Sequence, residues 1–422
     1  MRDLFIEVIE SIRRNKIRTA LTGFAVSWGI FMLIVLLGLG NGLRNSTKAN
    51  MGDISANTME ISGGWTSKPY DGLEEGRRIR LTENDVLLTT SELFSENIDE
   101  VAPYLYKSGV TINMGKRFFS SSLCGVYPAY LEMEKVKILH GRALNDNDIK
   151  ENKKVIVISS RDAENLLDGG KDYASLVGKR IKAGDVNFLV VGIWKVDSSF
   201  MGSEAYIPFT TLKYVYNKGN YIDNILFSFH GLKTEQDNEE FEDKYRAVIN
   251  TSHRAAPDDV SATRIWNRFT TNMMMESGMG LLNVGLWIIG IFTLLSGIVG
   301  VSNIMLITVK ERTHEFGVRK AIGAKPWALI KLILAESVTI TAFFGYIGMA
   351  IGMLTCEIVN SVMSKSKLEV MGESFTGLVD PTVGLDVALE ATLLLIIAGT
   401  LAGLIPARKA AQVRPIEALR AD

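Results

Sequence analysis

Four long apolar runs stand out from the pattern of hydrophobic and polar positions, and a long polar stretch separates the first run from the other three. A helix needs about 20 consecutive apolar residues to cross the ~30 Å hydrocarbon core of a bilayer, and each run is long enough. The pattern therefore predicts four transmembrane helices, over residues 20–42, 280–309, 328–356 and 386–405.

The stretch 43–276 has a different pattern, in which short apolar runs alternate with Gly, Asn and Asp. Short runs such as VIVIS at Val155–Ser159 are typical of buried strands. A region of this length exceeds the usual ~100–150 residues of one domain, so we expect two subdomains. The predicted strands are Val155–Ser159, Phe188–Ile193, Ala205–Ile207, Ile225–Phe229 and a short one opened by Gly178-Lys179-Arg180, and the predicted helices are Asp162–Leu167 and Asp237–Ser252.

The predicted fold class is thus a membrane α-helical unit of four transmembrane helices, with an α+β extracytoplasmic domain inserted between helices 1 and 2. The segments between the spans are a cytoplasmic amphipathic elbow helix (1–19), a cytoplasmic connector (310–327), an extracytoplasmic loop (357–385) and a cytoplasmic tail (406–422).

Positive charge near the spans gives the orientation. Residues 1–19, the connector and the tail are rich in Arg and Lys, whereas the loop 357–385 carries only Lys365 and Lys367. Cytoplasmic segments carry the excess of basic residues, so both termini and the connector are expected in the cytoplasm and the large domain outside. The first apolar run is too long for the core of a signal peptide, so we expect an uncleaved anchor.

Composition and motifs give little support for an enzyme. The net charge of −1 does not favour nucleic acid, and the four histidines lack metal-protease spacing. Gly169-Gly170-Lys171 precedes Asp172 and lacks the upstream glycine of a phosphate-binding loop, so we do not expect this chain to hydrolyse ATP alone. We therefore assign no catalytic residue, no metal ligand and no cofactor to this chain. Cys124 and Cys356 give no basis for a disulfide, and the sequence leaves their roles open.

Two polar residues lie within the predicted spans. Asn303 and Glu336 are at or near membrane depth, where polar groups normally face protein or water. Lys331 lies five positions before Glu336, so a structural ion pair is an alternative to a transport role.

The segments around the connector resemble a known family. NIMLITVKERTHEFGVRKAIGAK at Asn303–Lys325 closely resembles the signature of MacB-type ABC-transporter permeases, and Gly403–Arg420 is similar to that family's C-terminal pattern. Arg13–Leu43 is similar to its first span, and patches such as HGRALNDNDI and FLVVGIW look like its extracytoplasmic core domain. His314 and Phe316 stand where the family commonly has Arg and Ile.

The resemblance implies a permease of the bacterial cytoplasmic membrane that forms a homodimer, or a heterodimer with a related permease. ATPase subunits, which bind ATP and Mg, would dock on the cytoplasmic side and drive movement of the periplasmic domain. The family's best-known members carry a fused ATP-binding domain, whereas this sequence begins at the elbow helix, so we expect a separate ATPase. A periplasmic adaptor and an outer-membrane channel are further expected partners.

Such mechanotransmission would drive export of a peptide, toxin or drug. Two alternatives remain: a lipoprotein-release permease, and an FtsX-like regulator of a cell-wall hydrolase.

The connector carries the expected coupling residues. In a helix over Lys310–Ile322, Glu315 can pair with Arg319 at (i, i+4) and with Arg312 at (i, i+3). Glu311 and Lys320 are expected to stay free for a partner, Phe316 and Val318 to add apolar contact area, and Gly323 to stop the helix. The alternative is a charged loop that merely obeys the positive-inside rule. The candidate coupling residues are Glu311, Arg312, Glu315, Phe316, Arg319, Lys320 and Gly323.

Overall fold

The computed structural model describes residues 16–51, 56–167, 169–196, 204–363, 367–370, 373–376 and 379–412. The predicted elbow helix at 1–19 lies outside the described residues except for its last four, and the predicted tail at 406–422 is described only as far as residue 412. The chain divides into two compact units: a helical unit formed by Met1–Ala49 and Gly278–Asp422, and a sheet unit formed by Asn50–Ser277.

The described elements follow the order of the chain. The helices are α1 (Lys16–Met51), α2 (Glu83–Thr89), α3 (Pro128–Met133), α4 (Asp146–Lys150), α5 (Ser160–Leu167), α6 (Phe209–Val215), α7 (Glu235–Ser252), α8 (Arg268–Glu311), α9 (Thr313–Ala321), α10 (Pro326–Met363) and α11 (Leu385–Gln412). The strands are β1 (Thr58–Gly63), β2 (Ile98–Met114), β3 (Arg117–Val126), β4 (Ile138–Gly141), β5 (Val155–Ser159), β6 (Arg180–Ala183), β7 (Val186–Trp194), β8 (Ala205–Pro208), β9 (Asn224–Phe229), β10 (Thr263–Asn267), β11 (Lys367–Val370) and β12 (Glu373–Thr376).

Long apolar helices dominate the helical unit. Within the part of the chain that the structure describes, three helices are long and apolar enough to cross a membrane, and they lie in α1, α8 and α10. The fourth predicted span, residues 386–405, falls inside α11, a helix of 28 residues. The loop 357–385, predicted as a polar connection, contains the antiparallel hairpin of β11 and β12.

Glycines allow these helices to approach closely. A Cβ atom on Gly348 of α10 would lie 2.3 Å from the carbonyl oxygen of Ser27 in α1. A Cβ on Gly403 of α11 would lie 2.7 Å from the Cβ of Ser337 in α10, and the Ser337 hydroxyl donates a buried hydrogen bond to the Gly399 carbonyl at 2.9 Å. Small residues thus bring backbones together where lipid provides no hydrophobic drive between helices.

One ten-stranded sheet runs through the sheet unit in the order β10-β1-β9-β2-β3-β8-β5-β7-β4, with β6 paired to β2 and β7. Most pairs are antiparallel, and β3–β8 and β5–β7 are parallel. Successive residues of β5 enter different hydrophobic clusters, Ile156 and Ile158 in one, Val155 and Val157 in the other. Because side chains alternate along a strand, this places apolar material on both faces of the sheet.

The apolar runs predicted as strands are strands. β5 has the predicted bounds, and β7, β8 and β9 contain the predicted runs at Phe188–Ile193, Ala205–Ile207 and Ile225–Phe229. The predicted helices at Asp162–Leu167 and Asp237–Ser252 lie within α5 and α7. The expectation of two subdomains stays a prediction.

Cys124 of β3 is buried, which raises the pKa of its thiol.

Candidate functional site

The connector between α8 and α10 is a short helix, α9, set off from α8 by a break in the backbone at Arg312. The φ and ψ angles of Arg312 are −94° and 13°, outside the helical region, although its N–H still donates to the Thr308 carbonyl at 3.1 Å. The predicted helix over Lys310–Ile322 is therefore two helical pieces joined at this residue.

Gly323 ends the connector helix as predicted. Its φ is +101°, in the region that favours glycine, and its N–H donates to the Lys320 carbonyl at 3.0 Å. The Ala324 N–H donates to the Arg319 carbonyl at 2.9 Å. This pair of bonds is a Schellman motif, which satisfies carbonyls at the helix end and turns the chain away.

Glu315 is the centre of the charge network on α9. Arg312 binds it with two parallel hydrogen bonds, Nε to Oε2 at 2.8 Å and Nη2 to Oε1 at 3.0 Å, and Arg319 donates to Oε1 at 2.9 Å. Both predicted pairs are thus confirmed. The hydrogen bonds from Arg312, with the positive charge of both arginines, lower the pKa of Glu315 below its usual range.

The Arg312 guanidinium also reaches α10, where Nη1 lies 3.2 Å from Oε2 of Glu336. Glu336 is only 4% exposed. A structural ion pair, the alternative to a transport role for Glu336, is thus present, but its cation is Arg312 and not Lys331, whose ammonium lies 5.9 Å from the Trp327 ring centroid. Arg312 therefore joins the connector to α10 through a nearly buried carboxylate.

Lys320 and Glu311 are not free, contrary to the prediction. The Lys320 ammonium donates to the carbonyl of Ala411, in the last turn of α11. The last four carbonyls of a helix have no partner within the helix, so a lysine is well placed to satisfy one. Glu311 also has an interaction partner. The connector is thereby attached to α11 as well as to α10.

Phe316 is buried rather than offered to a partner, so that part of the prediction is wrong. Its ring is 1% exposed in a cluster that includes Met305 of α8, Leu332 of α10 and Ala410 of α11, and the Arg312 guanidinium lies 5.3 Å from its centroid. A phenylalanine one turn into an amphipathic helix packs inward when neighbouring helices supply apolar surface. Phe316 thus fixes α9 against three longer helices.

The exposed apolar surface of the connector lies at Ile322, which sequence reasoning missed. Its side chain is 83% exposed, at the position between the last turn of α9 and Gly323. Trp327, at the start of α10, is 60% exposed. The sequence feature that indicates this exposure is an apolar residue directly before a helix-ending glycine, because the chain leaves the packed face of the helix there.

Asn303 takes no part in this network. It is exposed on α8, whereas Glu336 is buried on α10. The two polar residues predicted at membrane depth therefore have different environments. Among the residues that the structure describes, no group of His, Cys, Asp or Glu has the arrangement of a metal site.

Comparison with known proteins matches both halves of the chain to family models. Residues 19–248 match the MacB-like periplasmic core domain, and residues 287–415 match the FtsX-like permease C-terminal domain. The macrolide export ATP-binding/permease protein MacB of Chlorobaculum tepidum is 30% identical over 422 residues, covering 98% of this chain and 61% of the relative. That of Bdellovibrio bacteriovorus is 27% identical over 416 residues, covering 97% and 60%.

This chain spans about 60% of the length of these curated relatives. Among solved structures, the periplasmic region of MacB from Actinobacillus actinomycetemcomitans aligns with 54% of this chain and 96% of its own, with 21% identity and a TM-score of 0.41.

Proposed function

Because the chain belongs to the family of MacB-like permeases, we propose that it is the permease subunit of an ABC transporter in the bacterial inner membrane. In this proposal a separate ATPase binds ATP and Mg and hydrolyses ATP. The permease, as a dimer, converts that cycle into movement of its periplasmic domain and so drives export of a peptide, toxin or drug.

The proposed topology has four transmembrane helices, with the sheet unit inserted between the first and the second. Three apolar helices of sufficient length and the helix α11 support the count. The basic residues of the connector support a cytoplasmic position for it, and the acidic loop 357–385 supports an external one. Both termini are then cytoplasmic and the sheet unit is periplasmic.

The observation that carries the proposal is the attachment of the connector at several points. Arg312 binds Glu315 and Glu336 at once, Lys320 binds the end of α11, and Phe316 is buried among the helices. A rigidly attached element passes a displacement to its neighbours instead of absorbing it by bending. A push on α9 from the cytoplasm would therefore move α10 and α11 with it.

We place the ATPase contact at Ile322. An exposed apolar side chain at the end of a charged cytoplasmic helix fits the usual anatomy of an interface, an apolar centre inside a polar rim. Exposed His314 would lie in that rim. Glu315 and Arg319 would then shape the connector rather than form its main contact.

Purification of the tagged full chain from its native membrane tests the proposal. An ABC ATPase should copurify, and its absence would reject every ATP-driven function. The extracytoplasmic proteins in the same preparation separate the alternatives. An adaptor supports export, bound lipoproteins support lipoprotein release, and a cell-wall hydrolase supports an FtsX-like regulator.

A further inference from the structure

A cavity of about 430 Å³ opens on the sheet unit beside the end of β1, between residues 78–81 and the loop 217–223. Backbone hydrogen bonds hold both walls: the Ile79 N–H donates to the Gly64 carbonyl at 2.9 Å, and the Ile222 N–H donates to the Leu81 carbonyl at 2.8 Å. The volume lies in the range of small-molecule sites. The cavity is therefore a preformed feature of the fold.

Two arginines of one wall face the same way. Arg78 and Arg80 are exposed, while Ile79 and Leu81 are buried at 4% and 1% exposure. Alternate residues of an extended segment point to the same side, and both arginines line the cavity. Within the described part of the chain, neither guanidinium forms an ion pair or a hydrogen bond with a side chain or carbonyl.

The other wall positions one of these groups without neutralising it. The Arg80 guanidinium lies 5.2 Å from the centroid of the Tyr221 ring, a cation–π contact that brings no negative charge to the group. Lys218, by contrast, is paired with Asp223 at 2.7 Å, and the same carboxylate accepts the Tyr106 N–H at 2.7 Å. The cavity is thus left with two uncompensated positive charges.

We propose that this cavity binds a dianionic group of the phosphate type through Arg78 and Arg80. A tetrahedral dianion has enough oxygens to accept hydrogen bonds from both guanidinium groups, whereas a single carboxylate matches one arginine fork. The half-exposed Tyr221 ring would pack against the body of the ligand. A soluble phosphorylated solute and a lipid headgroup share this chemistry, and the site does not depend on the proposed transport function.

Calorimetric titration of the detergent-solubilised full chain with inorganic phosphate, at constant ionic strength set with chloride, tests the site. Saturable binding of one phosphate per chain is expected. The double variant Arg78→Gln/Arg80→Gln should weaken it about tenfold or more, since hydrogen bonds to charged groups are the strong ones. Arg180→Gln, at an exposed arginine of β6, is the matched control and should bind like the unsubstituted chain.

Lack of saturable binding would overturn the proposal, as would equal weakening by Arg180→Gln or full affinity in the double variant. The same titration in nanodiscs separates the two sources. If phosphatidic acid, a lipid whose headgroup is a phosphomonoester, competes with phosphate, and does so only while Arg78 and Arg80 are present, the site takes a lipid headgroup. If phosphate binds equally with and without that lipid, the site takes a soluble ligand.

Discussion

Arg268, the first residue of α8, is the most informative position to perturb in the sheet unit. It is 7% exposed, and its Nη2 atom lies 2.6 Å from Oε1 of Glu134, which is 6% exposed. Its Nη1 atom donates to the Thr58 hydroxyl at 3.3 Å, and its guanidinium lies 5.0 Å from the centroid of the Trp266 ring. The start of α8 is thus attached to β1 and to the residue that follows α3 through one buried cation.

Replacing Arg268 with Met keeps much of the side-chain volume but removes the charge. Glu134 is then left buried without its cation, and breaking a buried ion pair from one side costs about 3–5 kcal/mol of unfolding free energy. Glu60 is less affected, because it lies 4.0 Å from the guanidinium and accepts a 2.6 Å hydrogen bond from the Tyr104 hydroxyl. The loss should therefore come mainly from Glu134.

The double variant Arg268→Met/Glu134→Leu is the matched control. It removes both charges, so it should recover most of the lost stability, as happens when apolar residues replace a buried pair. Urea unfolding of the full chain in detergent gives the free energies, and hydrogen exchange of β1 and the first turns of α8 localises the change. A loss below about 1 kcal/mol in the single variant, or a double variant no more stable than the single, would refute the reasoning.

Two further substitutions test the energetics of the two units separately. Burial raises the pKa of Asp162 to about 7, although hydrogen bonds such as the one that the Ser121 hydroxyl donates lower that pKa. The folded state then keeps a proton that the unfolded chain releases, so unfolding free energy should fall by roughly 2–4 kcal/mol between about pH 4 and pH 7. Asp162→Asn should flatten that profile in urea titrations, and an unchanged slope would contradict the assignment. In the helical unit, Gly348→Val must push α10 away from the Ser27 carbonyl, which should cost about 1–3 kcal/mol in thermal unfolding. Gly285→Val, where a Cβ would meet nothing within 4 Å, should cost clearly less, and equal losses would count against close packing at Gly348.

The strands that the sequence revealed are those buried on both faces. β5 and β9 are nearly continuous apolar runs, a pattern that a strand shows when both faces are covered. β2 was missed, although it is 17 residues long. It contains Pro103, its register with β3 shifts between Lys107 and Val110, and several consecutive residues are exposed. Bulges break the alternation on which strand prediction depends.

In the connector, the contacts between residues close in sequence were predictable, and the contacts between distant residues were not. The pairs of Glu315 with Arg312 and Arg319 follow from helical spacing and were predictable. The Arg312 contact with Glu336 spans 24 positions, whereas helical spacing suggests only the nearby Lys331 as a partner. The burial of Phe316 and the Lys320 bond to Ala411 depend on how α8, α10 and α11 pack around α9. Sequence spacing contains no information about that packing.

The most direct test of the central claim measures ATP hydrolysis by the copurified ATPase after reconstitution with the full chain in nanodiscs. Ile322→Asp places a charge on the exposed apolar end of α9 and leaves the backbone bonds of Gly323 and Ala324 in place. Leu87→Asp, at a side chain of α2 that is 68% exposed, is the control. Stimulation of the ATPase should fall about tenfold or more with Ile322→Asp, as for a central interface residue, and stay unchanged with Leu87→Asp. Full stimulation by the Ile322→Asp variant would contradict docking at the connector.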